Sequence, residues 1–191
     1  VESSANKKKR LRVFAGPNGS GKSTFIEKFP IEPNIKLGIY INADEIEKSI
    51  YENGYLNLDK YNIHLNTKDI QDHFKVSKFS PLRLEDPKLY KKFRVDENKL
   101  LYENYKKRNS YVSSDIADFL RKKLVNLDLD FSFETVMSDI GKIEFLEESA
   151  SCGFYNYLYF FCTDDVEINI NRVAIRVQQN GHSVEADKIR K

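Results

Sequence analysis

The run Gly16-Pro17-Asn18-Gly19-Ser20-Gly21-Lys22-Ser23 satisfies the spacing G-x-x-x-x-G-K-[ST] at every fixed position. That spacing has a chemical reason. Successive backbone N–H groups converge on a phosphate only where no side chain intrudes, which calls for glycine. Lys22 has the reach for the outer phosphates, and the Ser23 hydroxyl, just before Thr24, is a hard oxygen ligand of the kind Mg²⁺ takes. A helix opening at this point would add the positive end of its dipole. Three further places carry chemistry: Asp44 in INADEI, Glu134 and Thr135 in FSFETVMS, and Arg172 with Arg176, one helical turn apart. Two such arginines either neutralise a phosphoryl group in transit or lie on an ordinary solvated helix face.

These side chains need elements to aim them. Leu11, Val13, Phe14 and Ala15 predict a strand into the loop, with Lys7–Arg10 as a solvated lead-in. Phe25, Ile26 and Phe29 predict a helix out of it, stopped by Pro30. Strand, loop and helix are the context that the motif requires, so this stretch predicts nucleoside triphosphate binding. A second strand over Ile35 to Ile41 ends at Asn42 and Asp44, where ligands collect in an open α/β sheet. Asp44 reads equally as a cap or first-turn acid of the helix that follows. Glu134 and Thr135 also end a strand, and lie beside the phosphate loop if the sheet is parallel.

From Ser113 onward, Ile116, Phe119, Leu120 and Leu124 make an apolar stripe opposed by Arg121, Lys122 and Lys123. Ser138 is placed to cap a helix through Ile143 and Leu146 that Gly153 can close. Tyr155 to Cys162 (YNYLYFFC) predicts a strand buried on both faces. Ile170, Val173, Ala174 and Val177 then give one helix an apolar face, which Asn180-Gly181 ends before Ser183 starts the next helix. Strands alternating with helices predict an α/β fold with a mostly parallel sheet. Residues 52–111 fit less well. They are charged, rich in Asn and Tyr, interrupted by Pro81 and Pro87, and hold only Gly54 as glycine. Thr67 is placed to cap a turn carrying Ile70 and Phe74, and Leu101 with Tyr105 fits a helix from Asp96 to Arg108. The region predicts a solvated helical insertion, with a binding surface of tyrosines and lysines as the alternative.

With 191 residues, 40% hydrophobic and 31% charged, the composition suits one globular domain spanning 1–191. No apolar run approaches a membrane span and no signal-peptide pattern appears, which predicts a cytoplasmic protein. The first residue is Val1 rather than Met, which predicts a processed or engineered start. A net charge of +2 argues against nucleic acid or an anionic membrane as partner. Cys152 and Cys162 lack metal or redox spacing and predict reduced thiols, and three His residues do not suggest a structural zinc site.

Four blocks in order, GPNGSGKST, INADEI, FSFETVMS and RVAIRVQQNGHSV followed by KIRK, resemble the zeta-toxin family of P-loop kinases. The resemblance implies a three-layer αβα sandwich similar to nucleoside monophosphate kinases, with a lid over 165–191 and a final strand beyond the sequence given. Gly16, Pro17, Asn18, Gly19, Ser20, Gly21, Lys22, Ser23 and Thr24 would hold ATP, with Lys22 on the β- and γ-phosphates and Ser23 on Mg²⁺. Asp44 would be the general base, with Asn42, Glu134 and Thr135 on the substrate side and Arg172 and Arg176 as lid arginines. His182 would shape the lid. The family usually reads GGH-x-V-P where this chain has Asn180-Gly181-His182-Ser183-Val184-Glu185, and the span from Asp44 to Glu134 is longer than the family's. The function implied is ATP-dependent transfer to a hydroxyl of a small molecule. Toxin members use UDP-N-acetylglucosamine. The alternatives are a polynucleotide 5′-hydroxyl kinase and a nucleotide-dependent binding module held by an antitoxin-like protein.

Overall fold

The computed structural model describes residues 8–28, 36–179 and 184–190. In chain order its elements are β1 (Lys9–Ala15), α1 (Lys22–Lys28), β2 (Ile39–Ile41), α2 (Ala43–Asn53), β3 (Tyr55–Asn57), α3 (Thr67–Val76), α4 (Phe79–Arg83), β4 (Phe93–Asp96) and β5 (Lys99–Tyr102). Then come α5 (Ser110–Asn126), β6 (Phe131–Thr135), α6 (Gly141–Ser151), β7 (Phe154–Phe160), α7 (Val166–Gln178) and α8 (Ala186–Arg190). Two short 3₁₀ turns, Leu58–Tyr61 and Leu89–Lys92, lie among them. The chain divides into two compact units, one formed by 1–38 with 129–191 and the other by 39–128. The predicted Phe29 and Pro30 stop, the start of the second strand at Ile35, and the Asn180–Ser183 turn with His182 lie outside the described residues.

In the first unit, β1 runs parallel to β6 on one side and to β7 on the other. Leu11 and Val13 pair with Phe131 and Phe133, and Phe145 of α6 lies on these two phenylalanines with ring centroids 6.4 and 6.0 Å away. Phe14 points to the opposite face, where it meets Tyr159 at 5.1 Å and Phe25 of α1 at 6.2 Å. Alternation along β1 thus places helices on both faces of one sheet. Lys9 and Arg10 belong to β1 instead of a solvated lead-in: the Arg10 N–H donates to Asp130, and Lys9 Nζ to the Cys152 carbonyl.

Three expectations are corrected here. β7 is not buried on both faces: among the described residues it pairs only with β1, and Leu158 and Phe160 are 53% and 62% exposed. A continuous apolar run reports hydrophobicity but not how many neighbours the strand acquires. Ser138 does not cap α6. Asp139 lies one position nearer and takes the Gly141 N–H at 2.8 Å, and Gly153, at φ +86°, follows the helix as expected. On α7 the buried positions are Asn169 and Val173, while Val177 is 40% exposed, so the inward face is narrower than the apolar spacing predicts. Cys152 and Cys162 are free and exposed.

The second unit is mixed and not a helical insertion. β3, β5 and β4 form an antiparallel sheet, in that order. The segment expected as a helix from Asp96 to Arg108 instead begins as the β4–β5 hairpin. Its two turn residues, Glu97 and Asn98, both have positive φ (46° and 55°), the geometry of a tight hairpin turn. Asn98 holds the turn through its side chain, donating to Asp59 and to the Ile63 carbonyl. Phe93 stacks between Phe74 and Tyr102 at 4.2 and 4.9 Å, joining the hairpin to α3. Asn66, not Thr67, caps α3, in a reciprocal capping box with Asp69. Thr67 instead takes the Val95 N–H.

α5 is the central helix of this unit, with Ile116, Leu120 and Leu124 fully buried. Arg121, expected on its solvated face, is buried and bound to Asp118, which also holds Lys122. Asp115 takes bonds from His73 and Ser77. His73, Asp115 and Asp118 have ligand atoms close enough for a metal ion, but Asp118 is already compensated by two cations, so the cluster is a partly buried network of hydrogen bonds and ion pairs. Among the described residues no helix is long and apolar enough to cross a membrane.

Candidate active site

The Gly16–Gly21 loop joins the carboxyl end of β1 to α1, and its shape is set by glycines with neighbours too close for a side chain. Gly16 has φ +144°, and a Cβ there would lie 2.2 Å from the Phe161 carbonyl oxygen. Gly19 has φ +85°, and a Cβ there would lie 2.4 Å from the Asn169 carbonyl oxygen of α7. The loop is therefore wedged between the chain leaving β7 and the first turn of α7. The Gly16 N–H donates to the Thr135 carbonyl at 3.2 Å, and the Phe25 N–H to the Gly21 carbonyl at 3.0 Å. Pro17 and Asn18 are half-buried at the loop's rim, Ser20 is buried, and Thr24 is exposed on α1.

Lys22 is 7% exposed and folds back over the loop, its ammonium donating to the carbonyls of Gly16 at 2.8 Å and Pro17 at 2.9 Å. One residue on, the Ser23 hydroxyl donates to Glu134 Oε2 at 3.0 Å. The parallel register pairs Phe14 with Glu134 and Ala15 with Thr135, which brings the acid beside the Gly16–Gly21 loop, as expected for a parallel sheet. Thr135 shapes the turn that follows: its hydroxyl accepts from the Met137 N–H, with Met137 at φ +61°.

Ser23 and Glu134 suit magnesium. Both offer hard oxygen atoms, and their 3.0 Å separation is close to the roughly 2.9 Å between adjacent corners of an octahedron with 2.0–2.1 Å bonds. The hydroxyl-to-carboxylate contact was missed by reading the sequence. It follows from the register of β1 on β6, which residue spacing alone does not supply.

Arg172 reaches the loop from α7, its Nη1 donating to the Gly19 carbonyl at 3.2 Å. Arg176, one turn on, is half-buried. Asp165 caps the helix by accepting the Glu167 N–H, and the buried Asn169 seats its backbone on Gly19. Lys22, Ser23, Glu134, Thr135 and Arg172 thus belong to one constellation within the first unit. Asn42 and Asp44 belong to the second unit. There Asn42 caps α2 by accepting the Asp44 N–H at 2.8 Å, and Asp44 is an exposed acid of the first helical turn.

No family model matches the sequence, and neither does any curated protein. Among solved structures, the fold is similar to a chain of the Pnkp1/Rnl/Hen1 RNA repair complex, with a TM-score of 0.55 and 14% identity. The match covers 100% of this chain and 45% of that one, so this chain spans less than half of that neighbour's length. A Chloroflexus aurantiacus protein assigned as a kinase is similar with a TM-score of 0.54 and 9% identity, over 96% of this chain and 77% of that one. At these identities the likeness is one of fold. The fold is the α/β P-loop type, with a mostly parallel sheet between helices.

Proposed function

We propose that this chain is an ATP-dependent phosphotransferase that moves the γ-phosphoryl group to a hydroxyl of a small molecule. The observation that carries the proposal is the group Lys22, Ser23, Glu134 and Arg172 around one glycine loop. A loop that only bound nucleotide would need the lysine and the amides. An acid on the Ser23 hydroxyl and an arginine from a separate helix are the additions that phosphoryl transfer uses.

The residues divide the work. Backbone N–H groups of Gly19, Gly21 and Lys22 hold the donor phosphates, and Lys22 exchanges its two carbonyl partners for phosphate oxygens. Ser23 and Glu134 would hold Mg²⁺, which when bound offsets negative charge on the phosphates. Arg172, and Arg176 one turn behind it, stabilise charge on the group in transit. Asp44 accepts the proton of the acceptor hydroxyl, a role that needs hydrogen-bond reach and that its exposed position leaves open to a substrate. Positioning and charge carry the rate, without a covalent protein intermediate. The zeta-toxin resemblance of the motifs points to nucleotide sugars such as UDP-N-acetylglucosamine as the acceptor class, with Asn42 and Thr135 on the substrate side.

The test is transfer of label from γ-labelled ATP to a panel of nucleotide sugars, nucleosides, amino alcohols and a 5′-hydroxyl oligonucleotide. Wild type and Asp44→Asn are run in parallel. A labelled product formed by wild type and lost in the variant is expected. ATP binding without transfer to any hydroxyl compound would sink the proposal.

A further inference from the structure

The second unit carries a surface feature that phosphoryl transfer does not use. Its largest exposed aromatic side chains are Phe79 (47%), Tyr111 (38%) and Tyr51 (37%). Phe79 of α4 meets Tyr111 of α5 edge-on at 5.7 Å, and the Arg83 guanidinium lies over the Tyr111 ring at 6.0 Å. The Ser80 hydroxyl ties α4 to the Tyr111 carbonyl at 2.8 Å, so the pair is fixed to the scaffold. Asn109, which caps α5 by accepting the Tyr111 and Val112 N–H groups, connects this end to Arg108. The Arg108 guanidinium lies over Tyr51 of α2 at 4.7 Å, and Lys106 lies over Tyr105 at 5.0 Å. Tyr51, Tyr105, Lys107 and Arg108 then line one shallow surface cleft, with Glu47 at its floor side.

The pairing of rings with cations is dense. Residues 39–128 contain eight Lys or Arg groups within about 6 Å of an aromatic ring. Three of these, Arg83 on Tyr111, Lys106 on Tyr105 and Arg108 on Tyr51, belong to the groups around the start of α5. Each of these rings carries its cation over a face and stays partly exposed, so an apolar surface and a positive charge lie side by side. That is the chemistry that takes a base by stacking and the adjoining phosphate by charge.

We infer that the strip from Phe79 and Tyr111 through Arg108 and Tyr51 to Tyr105 is a binding surface for single-stranded nucleic acid. An acidic peptide would use the cations but gain little from repeated flat rings, and a duplex would keep its bases out of their reach. The net charge of the whole chain does not report this local group of Arg83, Lys106, Lys107 and Arg108. The surface is independent of ATP, so it stands or falls separately from the phosphotransferase proposal.

The experiment is fluorescence anisotropy with a 5′-labelled twelve-nucleotide oligothymidylate, without nucleotide or Mg²⁺. Controls are a duplex of the same length and polyglutamate as competitor. About three to four neutralised phosphates predict a weakening of roughly 15- to 60-fold between 50 and 200 mM salt. Tyr51→Ala and Tyr111→Ala are each expected to weaken binding roughly 10- to 100-fold. Arg108→Ala is expected to weaken it and to flatten the salt dependence. Circular dichroism melts confirm that the variants fold, and Tyr51→Leu and Tyr111→Leu keep apolar bulk while removing the ring. No binding at 50 mM salt, equal binding of the duplex, full displacement by polyglutamate, or unchanged affinity in folded tyrosine variants each overturns the inference.

Discussion

Replacing Gly19 or Gly21 with alanine separates two effects that a glycine loop usually confounds. Both have positive φ, +85° and +97°, so both substitutions carry backbone strain of about 1–3 kcal/mol. Their surroundings differ. A Cβ at Gly19 would sit 2.4 Å from the Asn169 carbonyl oxygen and 2.9 Å from its carbonyl carbon and Cα. Those are backbone atoms of a residue only 2% exposed, so relief requires shifting the first turn of α7. Overpacking of that kind adds about 1–3 kcal/mol. A Cβ at Gly21 would find its nearest such neighbour at 4.0 Å, in the flexible Arg172 guanidinium. Gly19→Ala is therefore expected to cost roughly 2–6 kcal/mol and Gly21→Ala roughly 1–3. Urea unfolding at constant slope measures the difference, and thermal melts should separate the variants by several degrees. Because α7 carries Arg172, Gly19→Ala should also alter any activity that depends on that arginine. A Gly21→Ala variant as destabilised as Gly19→Ala, or more so, would refute the argument that α7 is seated on the loop through Gly19.

Further outcomes follow from the same geometry. Lys22→Ala should weaken ATP binding at least about tenfold by calorimetry, since a buried ammonium aimed at the loop is removed. Glu134→Gln should raise the Mg²⁺ concentration needed for half-maximal transfer by roughly tenfold or more, while binding of Mg²⁺-free nucleotide changes little. Asp44→Asn should leave ATP affinity nearly unchanged and lower kcat by roughly 10² to 10⁴. Burial raises the Asp118 carboxyl, but Arg121 and Lys122 outweigh it and hold the group at about 2 against an ordinary 3.8. A depressed folded value means that this stabilisation is complete above about pH 4 and is lost as pH falls toward 2. It amounts to about 2 kcal/mol, so Asp118→Asn should lower stability at pH 7 by at least that much and flatten the acid limb of a pH–stability curve.

The strand–loop–helix form of the Gly16–Gly21 stretch was legible because each fixed position in it answers a local requirement, whether no side chain, a long cation or a hydroxyl. Glu134 was half legible. Its place at a strand end could be read, but its contact with Ser23 depends on the pairing of Phe14 with Glu134, which no local pattern encodes. The β4–β5 hairpin was missed because Glu97-Asn98 lacks the glycine that usually announces such a turn, and Asn98 is stabilised by Asp59 and Ile63, distant in sequence. Arg121 misled for a related reason. A charged residue on a helix reads as solvated until its partner is known, and Asp118 sits one turn away on the same helix. β7 was recognised as a strand but its burial was not, since that depends on what lies beside it.

The folded-back ammonium of Lys22 bears on how quickly and cheaply a ligand can be taken up. A free lysine loses about 0.5–1.5 kcal/mol of rotamer entropy when a ligand immobilises it. Here the side chain is already ordered between the Gly16 and Pro17 carbonyls, so that loss falls on folding and not on association. Incoming phosphate oxygens would then replace two carbonyl oxygens around a cation that need travel only a short distance. The loop is in this sense self-templated: its own main chain makes the contacts that a bound nucleotide would take over.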